Sequence, residues 1–418
     1  MGTVLIVEDS RTFSAMLSRR ITGELGFEVR LAGSLAQAVE LLGSGEDFFA
    51  ALLDINLPDA PKGEVVDLVL EHGIPSIIFT GELDDELRER FWAKHIVDYV
   101  LKQNMENVQY MLSLVARLHR NPGIKVLVVD DSRTTRDMLG TLLRTHRYQV
   151  LEAETGEAAL AVVAEHPDVR LAICDYNMPG MDGFELTRQL RHSHPKDRLA
   201  IIGLSGMSGL SLTARFLKSG ANDYLSKPFL TEEFYTRVTQ NIEMIEQIEQ
   251  IRELANKDHL TRLYNRRYFF TAGAQLLALL ARRRQPATVA MLDIDHFKKV
   301  NDALGHEAGD AVLRQMAQVL TSRFRESDIV ARLGGEEFCV LAPDLDAEQA
   351  WQVFEALRVA FEATPAVFDG TPLRYTVSIG LCSAQGCSLE EMLRQADQML
   401  YRSKSAGRNR VTGCGPGA

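Results

Sequence analysis

Apolar residues in the first part of the chain fall in short runs, each ending on a polar group. Val4-Leu5-Ile6-Val7 leads into Glu8 and Asp9, Phe49 to Leu53 into Asp54, Ile77-Ile78-Phe79 into Thr80, and Tyr99-Val100-Leu101 into Lys102. The pattern then returns in the same order. Val126-Leu127-Val128-Val129 leads into Asp130 and Asp131, Leu171 to Cys174 into Asp175, Ile201 to Leu204 into Ser205, and Tyr224-Leu225-Ser226 into Lys227. Strand-length runs alternate with helical spacings such as Leu160, Val163 and Ala164. This predicts a doubly wound α/β domain with a parallel sheet, occurring twice, over residues 1–120 and 121–235. Gly123 after Asn121-Pro122 marks the break between the copies.

From Phe234 to Ala255 there is neither Gly nor Pro, which predicts one helix, with 236–256 as the connecting stretch. Val238, Ile242, Ile245, Ile248 and Ile251 form its apolar stripe, although a spacing of three drifts round a helix. Two roles fit: a helix packed on the second copy, or a seam for a partner helix. The second is favoured, because the stripe outlasts the preceding pattern. In residues 257–418, Ala287 to Leu292 predicts a strand ending in Asp293, and Asp310 is placed to cap a helix with Val312, Leu313, Met316, Val319 and Leu320 inside. Ser388 and Glu391 predict a capping box for the last long helix. Strand-like flanks, Asp328 to Leu333 and Cys339 to Ala342, place Gly334-Gly335-Glu336-Glu337 at a hairpin tip.

Composition narrows the classes. A chain of 418 residues, 46% hydrophobic and 25% charged, is that of several soluble globular domains. Its apolar runs are too short for a membrane helix, and Val4 to Val7 predicts a first strand rather than a leader. Five cysteines without CxxC spacing argue against a disulfide framework or a zinc site, and point to a reducing cytoplasm. A net charge of −11 argues against general nucleic-acid binding, so an anionic substrate would need a few placed cations and a metal.

The polar groups that end the runs lie at the carboxyl ends of parallel strands, where such sheets bind ligands. Glu8, Asp9 and Asp54, or Asp130, Asp131 and Asp175, can hold one magnesium ion that neutralises an incoming phosphoryl group while the central aspartate attacks it. Lys102 or Lys227 would pair with the acyl phosphate, and Thr80 or Ser205 would hydrogen-bond it. Both copies resemble response-regulator receiver domains of flavodoxin-like fold. The resemblance implies phosphoryl transfer from a histidine kinase or phosphotransfer protein to Asp54 and Asp175. It also implies a switch made of Thr80 with Tyr99, and Ser205 with Tyr224. The first copy departs from the family at His95-Ile96-Val97 and at Gln103.

At the hairpin tip, two glycines leave no Cβ against a ligand, and the adjacent carboxylates suit a magnesium ion holding nucleotide phosphates. With Asp258 to Arg267, Asp293 to Lys298, Asn301, Asp310, Lys404 and Arg408, the third part resembles the GGDEF family, in the variant Gly-Gly-Glu-Glu-Phe. The whole chain is similar to PleD-type regulators. That implies a palm-like α/β fold and a diguanylate cyclase making cyclic di-GMP and two pyrophosphates from two GTP. Asp293, the Ile294 carbonyl and Glu336 would ligate magnesium, and Glu337 would bind a second ion or help deprotonate the ribose. Asn301 and Asp310 would read guanine, with Phe297 and Gly335 beside the nucleotide. Lys298, Lys404 and Arg408 would neutralise phosphates, and Asp295 would support the fold. Arg325 and Asp328 match the family's RxxD product-inhibition site, with Arg358 a third contact. Each domain would hold one GTP, so the active form would be a homodimer. The alternatives are a silent cyclic di-GMP sensor and a phosphorelay scaffold.

Overall fold

The computed structural model describes residues 2–81, 90–206 and 210–414. The chain divides into two compact units, Met1–Ile248 and Glu249–Ala418. The first contains two parallel sheets. Strands β1 (Thr3–Val7), β2 (Glu28–Ala32), β3 (Phe48–Leu53), β4 (Ser76–Thr80) and β5 (Asp98–Leu101) lie in the order β2-β1-β3-β4-β5. Strands β6 (Lys125–Val129), β7 (Gln149–Ala153), β8 (Val169–Asp175), β9 (Ala200–Ser205) and β10 (Asp223–Ser226) repeat it as β7-β6-β8-β9-β10. Helices cover both faces, so all six residues of β3 are buried, and the continuous apolar runs follow from that two-sided burial. The strand order reverses between β1 and β3, and between β6 and β8, and the acids stand at that point. Among the described residues, no helix is long and apolar enough to cross a membrane.

The helix Thr231–Asn256 starts before the predicted connector. Phe234, Tyr235, Val238, Ile242 and Ile245 are buried in the second receiver's core, which is the packed-helix role for this half. Farther along, Ile251 and Leu254 are 65% and 77% exposed. The start of this helix also holds the first receiver. Glu232 Oε1 accepts from Trp92 Nε1 at 3.2 Å and from Tyr99 OH at 3.0 Å. Arg117, nearly buried, donates to Glu246 at 2.7 Å. His146 stacks on Tyr235 at 3.7 Å, with Nε2 on the Val97 carbonyl at 3.1 Å. The His95-Ile96-Val97 departure therefore lies in the contact between the receivers.

The second unit is built on a mixed sheet. Strands β11 (Tyr264–Asn265), β12 (Ala287–Ile294), β13 (Ile329–Gly334) and β14 (Glu337–Pro343) are followed by a small hairpin, β15 (Ala366–Phe368) with β16 (Thr371–Leu373). Then come β17 (Val377–Ala384) and β18 (Val411–Cys414). The main sheet runs β11-β13-β14-β12-β17-β18, with β12 antiparallel to both neighbours. Helices His306–Arg323 and Ala347–Ala363 pack on one face, and Arg266–Arg283 and Leu389–Ser405 on the other. Two local expectations are corrected. Asp310 is not a cap: the helix begins at His306 behind Gly305, and Asp310 sits a turn inside, 3.8 Å from Arg314. Ser388 does cap its helix, accepting from Glu391 N at 3.3 Å, but the Glu391 side chain turns away to Arg394 and Gln395. The competing ion pair with Arg394 undoes the second half of the box.

Burial pushes the His146 imidazole down to about 3 from its usual value. A histidine held neutral when folded contributes stability that is present above the unfolded pKa of about 6.5 and lost as pH falls below it. Asp98, pushed up to about 6 by burial, acts with opposite sign below pH 6. His146→Gln, which keeps an N–H for Val97, is expected to lose less thermal stability than wild type between pH 7 and 6. Melting by circular dichroism checks this; parallel pH curves would exclude the role of His146.

Candidate functional site

In the first receiver, Asp54 follows β3 and Glu8 follows β1, so their carboxylates meet beside the switch in strand order. Glu8, Asp9 and Asp54 offer oxygens all within 4.8 Å of one another, the one such acidic group found among the described residues. Lys102 Nζ bonds Glu8 and Asp54, each at 2.5 Å. Burial raises the Glu8 pKa, and the lysine opposes it. The second receiver repeats the arrangement: Lys227 Nζ lies 2.7 Å from both Asp130 and Asp175, while Asp131 is exposed. Main-chain N–H groups of Asn56 and Asn177 donate to Asp54 and Asp175 at 3.1 and 2.8 Å. Thr80 and Ser205 are buried at the ends of β4 and β9, and Lys102 N and Lys227 N donate to their carbonyls at 2.8 and 2.7 Å. Tyr99 and Tyr224 are half-buried.

In the output domain, β12 is buried along all eight residues and delivers Asp293 to the hairpin, with Glu337 opposite it on β14. The tip turns through Gly334 (φ 154°) and Gly335 (φ 51°), and a Cβ on either would meet only open space, so the glycines serve the backbone turn and leave room above it. Asp293 is 5% exposed, and Lys404 Nζ, from the last helix, lies 2.7 Å from its Oδ2. Burial raises the Asp293 pKa, Lys404 lowers it, and the charges of Glu336 and Glu337 raise it further. Asp293, Glu336 and Glu337 are near enough to interact but are not gathered as tightly as the first receiver's acids. Ile294 is buried at the end of β12.

The helix Phe297–Leu304 carries Lys298 into solvent and Phe297 into the core. Asn301 faces Gly309 so closely that a Cβ there would fall 2.0 Å from Asn301 Oδ1. That oxygen is buried with no hydrogen-bond partner, a free acceptor beside half-exposed Asp310. Arg408 is exposed, with a left-handed backbone (φ 65°). Asp295 is a buried strut: it accepts from Thr376, Ser378 and Asn409 N at 2.8, 2.6 and 3.0 Å, fixing the residue after Arg408. In the RxxD stretch, Asp328 Oδ2 accepts from Arg325 N at 2.8 Å. Arg358 does not reach that stretch in these contacts; it is held by Glu355, Glu362 and Asn409 at 2.9, 2.9 and 2.8 Å.

Sequence reasoning missed Arg332. Its Nε and Nη2 clasp the Gly335 carbonyl at 3.0 and 2.8 Å, and its Nη1 donates to Asp258 at 3.0 Å. No local motif signals a partner so far back in the chain. Glu232, which holds Tyr99, was missed for the same reason.

Comparison with known proteins agrees with this division. The response regulator receiver domain matches residues 4–112 and 126–239, and the diguanylate cyclase, GGDEF domain matches 255–410. Response regulator PleD of Caulobacter vibrioides (strain NA1000 / CB15N) is 32% identical over 302 residues, covering 70% of this chain and 66% of PleD. Diguanylate cyclase DgcP of Pseudomonas aeruginosa PAO1 is 44% identical over 161 residues, 38% of this chain and 24% of that protein. The chain thus spans about two thirds of PleD and a much smaller share of DgcP. A crystal structure of a two-component system response regulator/GGDEF domain protein aligns with TM-score 0.54 at 43% identity, covering 59% of this chain and 100% of that one. The chain belongs to the response regulators, with two receiver domains followed by a diguanylate cyclase, GGDEF, domain.

Proposed function

We propose that this protein is a phosphorylation-controlled diguanylate cyclase that joins two GTP into cyclic di-GMP and releases two pyrophosphates. The observation that carries the proposal is the convergence at one strand end of Asp293, the Glu336-Glu337 turn and Lys404; in the same domain the Asn301 oxygen next to Gly309 is unsatisfied. A guanine N–H would satisfy that oxygen, and Asp310 would accept from the N1 and N2 hydrogens. Adenine lacks that pair of donors, and a site left with unpaired acceptors rejects it.

Asp293, the Ile294 carbonyl and Glu336 are oxygen donors suited to magnesium. Burial raises the Asp293 pKa most and the charges of Glu336 and Glu337 add to it, so a bound cation would favour its charged form. Bound there, magnesium would offset triphosphate charge and make the α-phosphorus a better electrophile. Lys298, Lys404 and Arg408 would hold the phosphates and stabilise charge moving onto pyrophosphate. In each half-reaction a ribose 3′-oxygen forms a bond to the α-phosphorus of the other GTP as the bond to pyrophosphate breaks. Exposed Glu337 stands at the tip to take the 3′-hydroxyl proton. One domain holds one GTP, so ring closure needs two domains face to face, and receiver pairing between chains would raise their local concentration toward roughly millimolar. Phosphoryl transfer to Asp54 or Asp175 would draw Lys102 or Lys227 and Thr80 or Ser205 to the new phosphate, shifting receivers to the pairing state.

Glu336→Ala is expected to fold normally and to lose roughly 100-fold or more in turnover, the order for removing a charge-stabilising group from such a site. Cyclic di-GMP formation from GTP and magnesium measures it, and near-wild-type production would sink the assignment. Arg325→Ala is expected to abolish inhibition by added cyclic di-GMP in progress curves; equal inhibition of variant and wild type would refute the RxxD site. Beryllofluoride is expected to shift wild type toward dimer and raise turnover, with both effects absent in the double variant Asp54→Asn, Asp175→Asn. Light scattering and turnover over one concentration series test this. Activation of a strictly monomeric species would defeat the mechanism.

A further inference from the structure

A cleft of about 490 Å³ in the output domain is lined by Arg325, Asp328 and Phe324, and also by Lys257, Arg262 and Tyr264 from the segment after the long helix. Arg262 has φ of 60°, in the left-handed region where glycine sits without strain and a side chain does not. The turn that imposes this is well tied. Arg262 N donates to the Asp258 carbonyl at 2.9 Å, and Asp258 Oδ1 accepts from Thr261 N and Oγ1 at 2.9 and 2.7 Å. A long cationic side chain is thus kept at a strained position facing a cavity, and such strain points toward function.

Three cations, Lys257, Arg262 and Arg325, line the cleft together with two carboxylates, Asp328 and Glu326. Among the described residues, no carboxylate lies within ion-pairing distance of the Arg262 or Arg325 guanidinium. Lys257 Nζ stands 3.6 Å over the Tyr264 ring, which stacks on Tyr268 at 3.9 Å. Burial lowers the Lys257 pKa, against an opposing effect of Glu253, so its charge lacks solvation that an anion would replace. Cations beside aromatic faces suit a ligand that carries both phosphates and planar bases.

We propose that the product site extends from Arg325 and Asp328 onto Lys257 and Arg262, which take the phosphates of cyclic di-GMP while Phe324, also lining the cleft, offers a face to its bases. The proposal rests on the product-inhibition reading of Arg325 and Asp328. It also supplies a route for inhibition within one domain. Lys257 directly follows the helix that ends at Asn256. The turn from Asp258 to Arg262 is tied through Arg332 to the Gly335 carbonyl at the catalytic hairpin. A ligand gripping that turn bears on the hairpin tip.

The test is calorimetric titration of cyclic di-GMP into nucleotide-free full-length wild type, Arg262→Gly, Lys257→Ala and Arg325→Ala, with thermal melting of each. Arg262→Gly removes the cation and relieves the backbone, so it is expected to melt no lower than wild type while binding product about tenfold more weakly, the order of one charge-assisted hydrogen bond. Lys257→Ala is expected to weaken binding similarly. Wild-type affinity in both, with binding lost in Arg325→Ala, would overturn the extension and leave the RxxD site standing. Failure of wild type to bind at all would overturn both.

Discussion

A buried carboxylate at the end of a buried strand needs a positive charge, and this chain meets that need three times with one lysine. Lys102 serves Glu8 and Asp54, Lys227 serves Asp130 and Asp175, and Lys404 serves Asp293. Desolvating an unpaired carboxylate costs several kcal/mol, and the lysine offsets much of that. The compensation is incomplete, since Glu8 and Asp293 both keep raised pKa values. Lys102 and Lys404 thus leave these carboxylates short of full compensation at the strand end. The need arises from the fold: central strands covered on both faces are apolar throughout, so chemistry can sit only where they end.

That constraint explains what was legible in the sequence. Continuous apolar runs ending on acids, hydroxyls and lysines gave both receivers and their pockets, because two-sided burial leaves such a pattern. The hairpin tip was legible from its glycines, and the fold of the output domain from a resemblance resting on separated motifs. What was hidden depends on long-range pairing. Glu232 reads as an ordinary acid in the first turn of a helix, yet it receives Trp92 and Tyr99 of the other receiver. Arg332 reads as a strand residue, yet it joins Asp258 to Gly335. Asp310 was misplaced as a cap because an acid before an apolar stripe signals a helix start only when the preceding turn is not already helical; here His306 to Gly309 extend the helix upstream.

The long helix Thr231–Asn256 gains meaning from what holds its two ends. At its start, Glu232 accepts from the hydroxyl of Tyr99, at the end of the first receiver's sheet. At its finish, the Ala255 carbonyl accepts from Asn265 Nδ2 and Arg267 Nη2, each at 2.8 Å, and the turn that begins at Asp258 is tied through Arg332 to the Gly335 carbonyl. Neither end is held by apolar packing alone. Directional hydrogen bonds break or form over a few tenths of an ångström, whereas a packed apolar face tolerates small slides. Polar anchors at both ends therefore fix the helix by direction as well as by packing.

The same logic bears on why Arg332 rather than packing fixes the catalytic turn. Gly334 and Gly335 give the hairpin the bareness a nucleotide needs, but two glycines also leave the tip without side chains to hold it, and glycine loses the most backbone freedom on ordering. A guanidinium donating through two nitrogens to one carbonyl restores that order without placing any atom above the turn. Its third nitrogen, Nη1, donates to Asp258, itself held by Thr261, so the tip's rigidity comes from the segment that follows the helix. A bare glycine turn is thereby made to depend on the segment that follows the long helix.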